Sequence, residues 1–477
     1  MHLQRVQVPD FRVLKDVDIT FEHDFNPRVF PLGSQNGGGK STLLQLIFIL
    51  LHCSTNPERL PALKNLLSEF HLREGEDKRV LAIIDIWDGE KVVKLEFFIC
   101  GDTYTHQIFD YADGFKTEDK LSFSTIIKLE DIQQQISRFS NKERELDDIL
   151  HQLEYRLSVT GTSSSFPDDL KKQLSNLGVN FEDVNANFVD LASLNVISKE
   201  AKLQLSNQHQ DKRLMEETYY FYVEGMIRYL KSANIEYITV DSSNGEALLC
   251  CINNISMDIA GQFLTKLSSK VFLAAPSTQI FLFLSKSSKK SLLTNCNDYY
   301  ADLTRMNSNL SGLVTYDFLA VKIIIDAIQR AGQLDFEVAR STGEYGNNYK
   351  KLLKDLNFLL HDKQINITSD LSGLTFTKDE SGDKVELETE DLSHGELKRL
   401  STYIWLKYKN IEDAIVLMDE VDLALHPDWQ YKIVSDLVDW EPSNQYILAT
   451  HSYELCNALT PSHVKILEPK LTGRRSE

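Results

Sequence analysis

The sequence predicts an α/β fold: a mixed sheet with central parallel strands, split by a mainly helical insertion. Three observations carry this. A glycine-rich stretch, GSQNGGGKST at 33–42, stands between a strand-like run, RVFPL, and a helix-like apolar run, LLQLIFILL. AIVLM at 414–418 and YILAT at 446–450 are short, continuous and apolar, as strands buried on both faces of a parallel sheet must be. From Leu129 the apolar spacing changes to alternating three- and four-residue steps, which belongs to paired helices.

The elements follow in order. HLQRVQV, VDITFE and RVFPLG within residues 1–33 alternate as strands do. LLQLIFILL is apolar nearly all round and predicts a buried helix. RVLAIIDIW (79–87) and KVVKLEFFIC (91–100) flank a polar Asp-Gly-Glu and predict a hairpin. Leu129, Ile132, Ile136, Phe139, Leu146, Leu150, Leu153 and Leu157 form one apolar seam, with Glu143 filling its missing position. This is about four heptads of a short coiled coil. TGTSSSFPDD interrupts it and LKKQLSNL resumes it, so a helical hairpin arm is expected at about 125–180. An ordinary amphipathic helix packed on the body is the alternative. VFLAAP (271–276) and QIFLFL (279–284) predict strands, and FLAVKIIIDAI (318–328) predicts a helix. QINITSD, GLTFTKD and KVELETE predict three further strands.

Composition limits the function. Of 477 residues, 42% are hydrophobic and 10% aromatic, enough for a large core, which excludes global disorder. No uninterrupted apolar window reaches the roughly 18 residues of a membrane span. Met1 to Asp10 reads as a strand and not as a leader, so a cytoplasmic chain is expected. Six scattered cysteines without CxxC pairs read as reduced thiols. With 51 Lys and Arg against 70 Asp and Glu, the net charge is −19, which argues against a broad basic coat for nucleic acid. Two local basic spots remain: Lys286, Lys289 and Lys290, and Lys465, Lys470, Arg474 and Arg475. They read first as a solvated loop and a solubilising tail. The acidic stretch Asp379 to Glu396 reads as a solvated hairpin.

The chemistry concentrates in four motifs. Ser34, Gln35, Asn36, Gly37, Gly38, Gly39, Lys40, Ser41 and Thr42 have the composition of a phosphate-binding loop. Glycines let successive backbone N–H groups converge on phosphate oxygens, and the following helix end adds partial positive charge. Lys40 would reach the β- and γ-phosphates and Ser41 would ligate Mg²⁺. The first position of the usual pattern is Ser34 here, with Gly33 one residue earlier. Asp419 and Glu420 end an apolar strand, so that Asp419 could hold Mg²⁺ and Glu420 polarise the attacking water. LSHGE at 392–396 places Ser393 26 positions before Asp419, and His451 closes another strand 32 positions after it. LSHGE and His451 alone are weak, and Asp419-Glu420 alone is a common pattern; their order after the phosphate loop is the signal.

In that order the residues resemble an ATP-binding-cassette (ABC-type) ATPase head, over about 1–100 and 365–460. The resemblance implies ATP and Mg²⁺ as ligands. It assigns Ser393, Gly395 and Glu396 to the signature that meets the γ-phosphate of ATP held by a second copy of the chain. It makes Glu420 the general base and His451 the switch histidine, with Lys40 the third catalytic group, and puts Asp422 at the dimer seam. The Gln-loop stays unplaced, Gln107 being one of several possibilities. The stretch Val421-Asp-Leu-Ala-Leu-His-Pro-Asp-Trp-Gln430 is similar to the soluble branch of structural-maintenance, RecF-like and overcoming-lysogenization-defect ATPases, and unlike transporter cassettes. The division implied is a head in two parts, 1–115 and 361–477, with an insertion at 116–360. Within that branch the whole chain resembles the ATPase subunit of Septu-type bacterial anti-phage systems, in the form found beside retrons. That implies a partner HNH nuclease, and with it a reverse transcriptase and multicopy single-stranded DNA, with no membrane. Only 26 residues follow His451, so a nuclease domain of the chain's own is not expected. A DNA-repair ATPase that clamps DNA is the alternative.

Overall fold

The computed structural model describes residues 1–53, 59–101, 140–149, 196–207, 235–241, 246–283, 310–316, 320–360, 362–368, 373–380 and 383–467, with isolated positions between 104 and 213. The chain divides into two compact units. One comprises Met1–Cys100, Asn234–Thr239 and Ala247–Glu477, the other Gly101–Ala233 and Val240–Glu246. Within the expected insertion at 116–360, Asn234–Thr239 and the stretch from Ala247 onward belong to the first unit. The strands there hydrogen-bond into its sheets.

The first unit begins with β1 (His2–Phe11), β2 (Leu14–Thr20), β3 (Val29–Gly33), α1 (Lys40–Cys53), α2 (Leu60–Leu66), β4 (Lys78–Trp87) and β5 (Val92–Cys100). It continues with β6 (Ile235–Asp241), β7 (Glu246–Asn253), α3 (Met257–Ser268), β8 (Val271–Ala275), β9 (Leu313–Thr315), α4 (Ala320–Thr342) and α5 (Asn348–Leu360). β10 (Lys363–Ile367), β11 (Leu374–Glu380), β12 (Asp383–Glu388) and α6 (His394–Tyr408) follow. The remainder is β13 (Ile415–Asp419), α7 (Pro427–Trp440), β14 (Gln445–Thr450), α8 (Tyr453–Asn457) and β15 (Lys465–Ile466).

Three sheets result. β2-β1-β4-β5-β7-β6 is antiparallel along its registered pairs, β15-β3-β14-β13-β8-β9 is parallel, and β10-β11-β12 is a small antiparallel sheet. The apolar runs at 414–418 and 446–450 are β13 and β14, the central strands of the parallel sheet, as the sequence predicts. Their residues alternate between two cores. Ile415, Leu417, Ile447 and Ala449 join the core that contains α1 and the inward residues of the antiparallel sheet. Val416, Met418, Tyr446 and Leu448 join the core formed with α4 to α7. Apolar groups surround α1, and Leu43, Leu46, Phe48 and Leu50 are each no more than 1% exposed. This accounts for a sequence that is apolar all round.

QIFLFL is not a strand. Residues Ser277–Phe283 form a 3-10 helix. Pro276 ends β8 and its carbonyl accepts from the Gln279 N–H, so the chain turns at once. In the second unit, most of the expected arm at 125–180 lies outside the described residues. In the helical stretch 140–149, Leu146 and Ile149 are buried and Glu143 accepts from the Lys212 ammonium at 2.9 Å. The seam's polar position is thus an ion-paired one.

Candidate functional site

Parallel pairing lines up strand ends. Gly33 of β3 lies opposite Thr450 of β14, and Asp419 of β13 opposite Ala449. The loop at 34–39, the Asp419-Glu420 pair and His451 therefore leave the sheet at one edge, where open α/β sheets place their ligands. There they line a cavity of ≈ 380 Å³, walled by Asn36 to Thr42, Val13, Asp419, Glu420 and His451. Gly37 and Gly39 have φ of +77° and +90°, a conformation that a side chain would strain. A Cβ on Gly39 would also meet Leu14 at 2.6 Å.

Lys40 begins α1 and turns back over the loop. Its ammonium donates to Ser34 Oγ at 3.0 Å and to His451 Nε2 at 2.9 Å. An ammonium has no acceptor, so Nε2 accepts and the ring proton is on Nδ1. Ser34 thus takes up the lysine through its hydroxyl, although neither Ser34 nor Gln35 lines the cavity. Burial lowers the Lys40 pKa, against the opposing pull of Asp419, Asp422 and Glu420. Ser41 Oγ donates to Asp419 Oδ1 at 3.0 Å. Asp419 Oδ2 is buried and has no hydrogen-bond partner among the described residues. Burial pushes the Asp419 carboxyl up to about 6, and the neighbouring Glu420 adds to this against Ser41 and Lys40. A buried carboxylate oxygen without a partner is costly unless a cation meets it. The oxygen pair of Ser41 and Asp419 suits a hard cation such as Mg²⁺. Glu420 has φ of +49°, and its carboxylate has no hydrogen bond among the described residues while it faces the cavity.

Ser393, Gly395 and Glu396 are not brought to this cavity. Ser393 caps α6 in a capping box: its hydroxyl accepts from the Glu396 N–H, and its own N–H donates to Glu396 Oε2 at 2.9 Å. Glu396 Oε1 holds Lys363 at 2.6 Å. Burial would raise the Glu396 pKa, but hydrogen bonds from Lys363 and Ser393 outweigh it and hold it below the usual carboxylate range. Both Glu396 oxygens are therefore engaged within the chain. A Cβ on Gly395 would stand 2.7 Å from the carbonyl oxygen of Ala424. Gly395→Ala is expected to force the start of α6 off this loop and to destabilise the fold by about 1–3 kcal/mol, as overpacking does. Chemical denaturation against the parent chain measures this.

A model of the AAA ATPase domain family matches residues 1–456. The chain belongs to the AAA ATPase domain family. The curated relatives it resembles include a retron Vc95 probable ATPase of Vibrio cholerae serotype O1 biovar El Tor, 24% identical over 203 residues. That match covers 36% of this chain and 38% of that protein. The Septu protein PtuA of Bacillus mycoides (strain KBAB4) is 38% identical over 85 residues, 16% of this chain and 12% of that protein. A retron Ec83 probable ATPase of Escherichia coli is 39% identical over 55 residues, 12% of this chain and 10% of that protein. The matched stretches thus span well under half of each relative. Among solved structures, a Smc head domain of Pyrococcus furiosus bound to the C-terminal domain of ScpA aligns over 96% of this chain and 91% of that one, at 12% identity and a TM-score of 0.32.

Within this AAA ATPase, other residues around the site carry no motif of their own. Gln279, just beyond β8, accepts at 3.0 Å from Gln45, one turn along α1 from Ser41. The Pro276-Ser277 break was its signal, hidden by the apolar QIFLFL. Gln107 lies outside the described residues. Gln430 donates to the carbonyls of Asp422 and Leu425 at 3.2 and 2.9 Å, which explains its spacing from the Leu-His-Pro turn. His426 caps α7 and Pro427 takes its first turn. Of the basic spots, Lys465 is ion-paired to Glu22 at 2.6 Å; the other six residues lie outside the described residues. No helix among the described residues is long and apolar enough to cross a membrane.

Proposed function

We propose that the chain binds and hydrolyses ATP with Mg²⁺ in the 380 Å³ cavity, as the ATPase subunit of a bacterial anti-phage defence complex. The observation that carries the ligand is the buried, unpartnered Oδ2 of Asp419 beside Ser41, at the mouth of a glycine loop and a helix N-terminus. The loop and Lys40 would bind the phosphates, and Ser41 and Asp419 would hold Mg²⁺. The metal supplies charge neutralisation on the phosphate oxygens. Glu420, free and facing the cavity, takes the proton of the attacking water. His451 fixes the Lys40 ammonium. Ser393 and Gly395, at the start of α6 and outside the cavity, serve the nucleotide of a second copy in a head-to-head dimer, and Glu396 keeps that segment capped.

The defence setting rests on the resemblance to proteins named retron ATPases and Septu PtuA. In this reading dimerisation controls a partner HNH nuclease, with a retron reverse transcriptase and its single-stranded DNA in the same complex. Titration of the purified chain with MgATP tests the nucleotide site. The parent should bind and turn over ATP, and Lys40→Ala should lose about 10–100-fold in affinity, the 1.5–3 kcal/mol of hydrogen bonds to charged groups. Equal affinity in both would remove the site.

A further inference from the structure

The turn that carries Glu420 is held from two sides. Lys398, in the second turn of α6, sends its ammonium to the Glu420 carbonyl at 2.7 Å and the Leu423 carbonyl at 3.1 Å. The same ammonium lies 4.1 Å from the ring centroid of Tyr316, a cation–π contact. From α7, Gln430 holds the carbonyls of Asp422 and Leu425. Within the turn, Leu423 N–H donates to Glu420 O and Leu425 N–H to Asp422 O. Glu420 and Ala424 have φ of +49° and +66°. A non-glycine residue in that region is strained and persists only where its surroundings over-determine it.

Lys398 is 6% exposed. A buried ammonium is costly unless its donors are met, and here the two carbonyls meet them. What the lysine adds is direction: one charge aligns two carbonyl dipoles of the turn and so sets where the Glu420 side chain leaves the backbone. One turn earlier on the same helix are Ser393 and Gly395, and Gly395 fits directly against Ala424 of the same turn. The start of α6 and the Glu420 turn are thus one mechanical piece.

We propose that Lys398 is a positioning residue that ties the signature end of α6 to the Glu420 turn, so that engagement of Ser393 by nucleotide in one site is transmitted to the carboxylate of the other. This rests on the head-to-head reading above: in that dimer Ser393 meets the nucleotide of the second copy, whereas Glu420 serves the nucleotide of its own chain. Without the clamp each site still binds ATP, but Glu420 no longer follows α6.

The test is steady-state kinetics and nucleotide affinity of the full chain carrying Lys398→Met and Lys398→Arg. Met keeps the length and removes the donors. Arg keeps the charge and two donors. The Met variant should hold ATP within about threefold of the parent and lose about 10–100-fold in kcat, the range for groups that orient a first ligand shell. The parent's dependence of rate on ATP should be sigmoidal and the Met variant's hyperbolic, and Arg should restore most of kcat. Three results would overturn the proposal: a Met variant with kcat within about twofold of the parent, affinity and kcat falling together, or an Arg variant as slow as the Met one. Should the Met variant not fold, Lys398→Gln reads the same split, and failure of both neutral variants to fold assigns a structural role and also overturns it. If the parent itself neither binds nor turns over MgATP, the nucleotide reading fails first, and the two failures are distinguishable.

Discussion

Glu420→Gln should hold ATP as tightly as the parent and turn it over about 10²–10⁴-fold more slowly, the contribution of a positioned general base. The substitution keeps shape and removes only the ability to take a proton. The Glu420 side chain has no hydrogen bond among the described residues, and its backbone carbonyl, held by Lys398, is unchanged. The fold should therefore not move, and a thermal unfolding midpoint near the parent's is part of the expectation. Single-turnover measurement separates the loss of chemistry from any loss of binding. Unaltered turnover would take the base role away from Glu420.

Asp419→Asn should stabilise the protein in the absence of nucleotide and metal while abolishing Mg-dependent turnover. Burial raises the folded Asp419 pKa to about 6 from 3.8. A carboxyl shifted upward is ionised more readily in the unfolded chain. Its contribution to stability is therefore fully present below about pH 4, is lost as pH rises from about 4 to about 6, and stays lost above. That difference corresponds to roughly 2–3 kcal/mol. At pH 8 the Asn variant should unfold at higher denaturant than the parent, and at pH 4 the two should nearly coincide. Added Mg²⁺ and ATP should stabilise the parent and not the variant. A variant less stable than the parent at pH 8 would contradict a buried carboxylate held without a partner, the kind of local cost that binding sites carry.

Legibility in the sequence followed how local the physics is. The glycine loop, its strand and its helix are contiguous, and turn chemistry and periodicity identify all three. β13 and β14 were readable because a strand covered on both faces needs an unbroken apolar run. QIFLFL resembles a strand because a short apolar run has no period of its own, and the turn at Pro276 makes it a 3-10 helix instead. Glu396 is engaged by Lys363, 33 positions away, a distance over which spacing carries no signal. Lys398 reads in sequence as one more basic residue on a helix. Its significance comes from the two carbonyls that the fold puts in front of it. The sheet membership of β7, β8 and β9 carries no sequence signal, because they resemble any short apolar strands until their partners are known.

Sedimentation velocity of the Glu420→Gln chain, with and without MgATP, tests the central claim most directly. ATP bound between Lys40 of one copy and Ser393 of another predicts that MgATP converts the protein from monomer to dimer, and that Ser393→Arg abolishes the conversion without loosening ATP at Lys40. A sedimentation coefficient unchanged by saturating MgATP would contradict it.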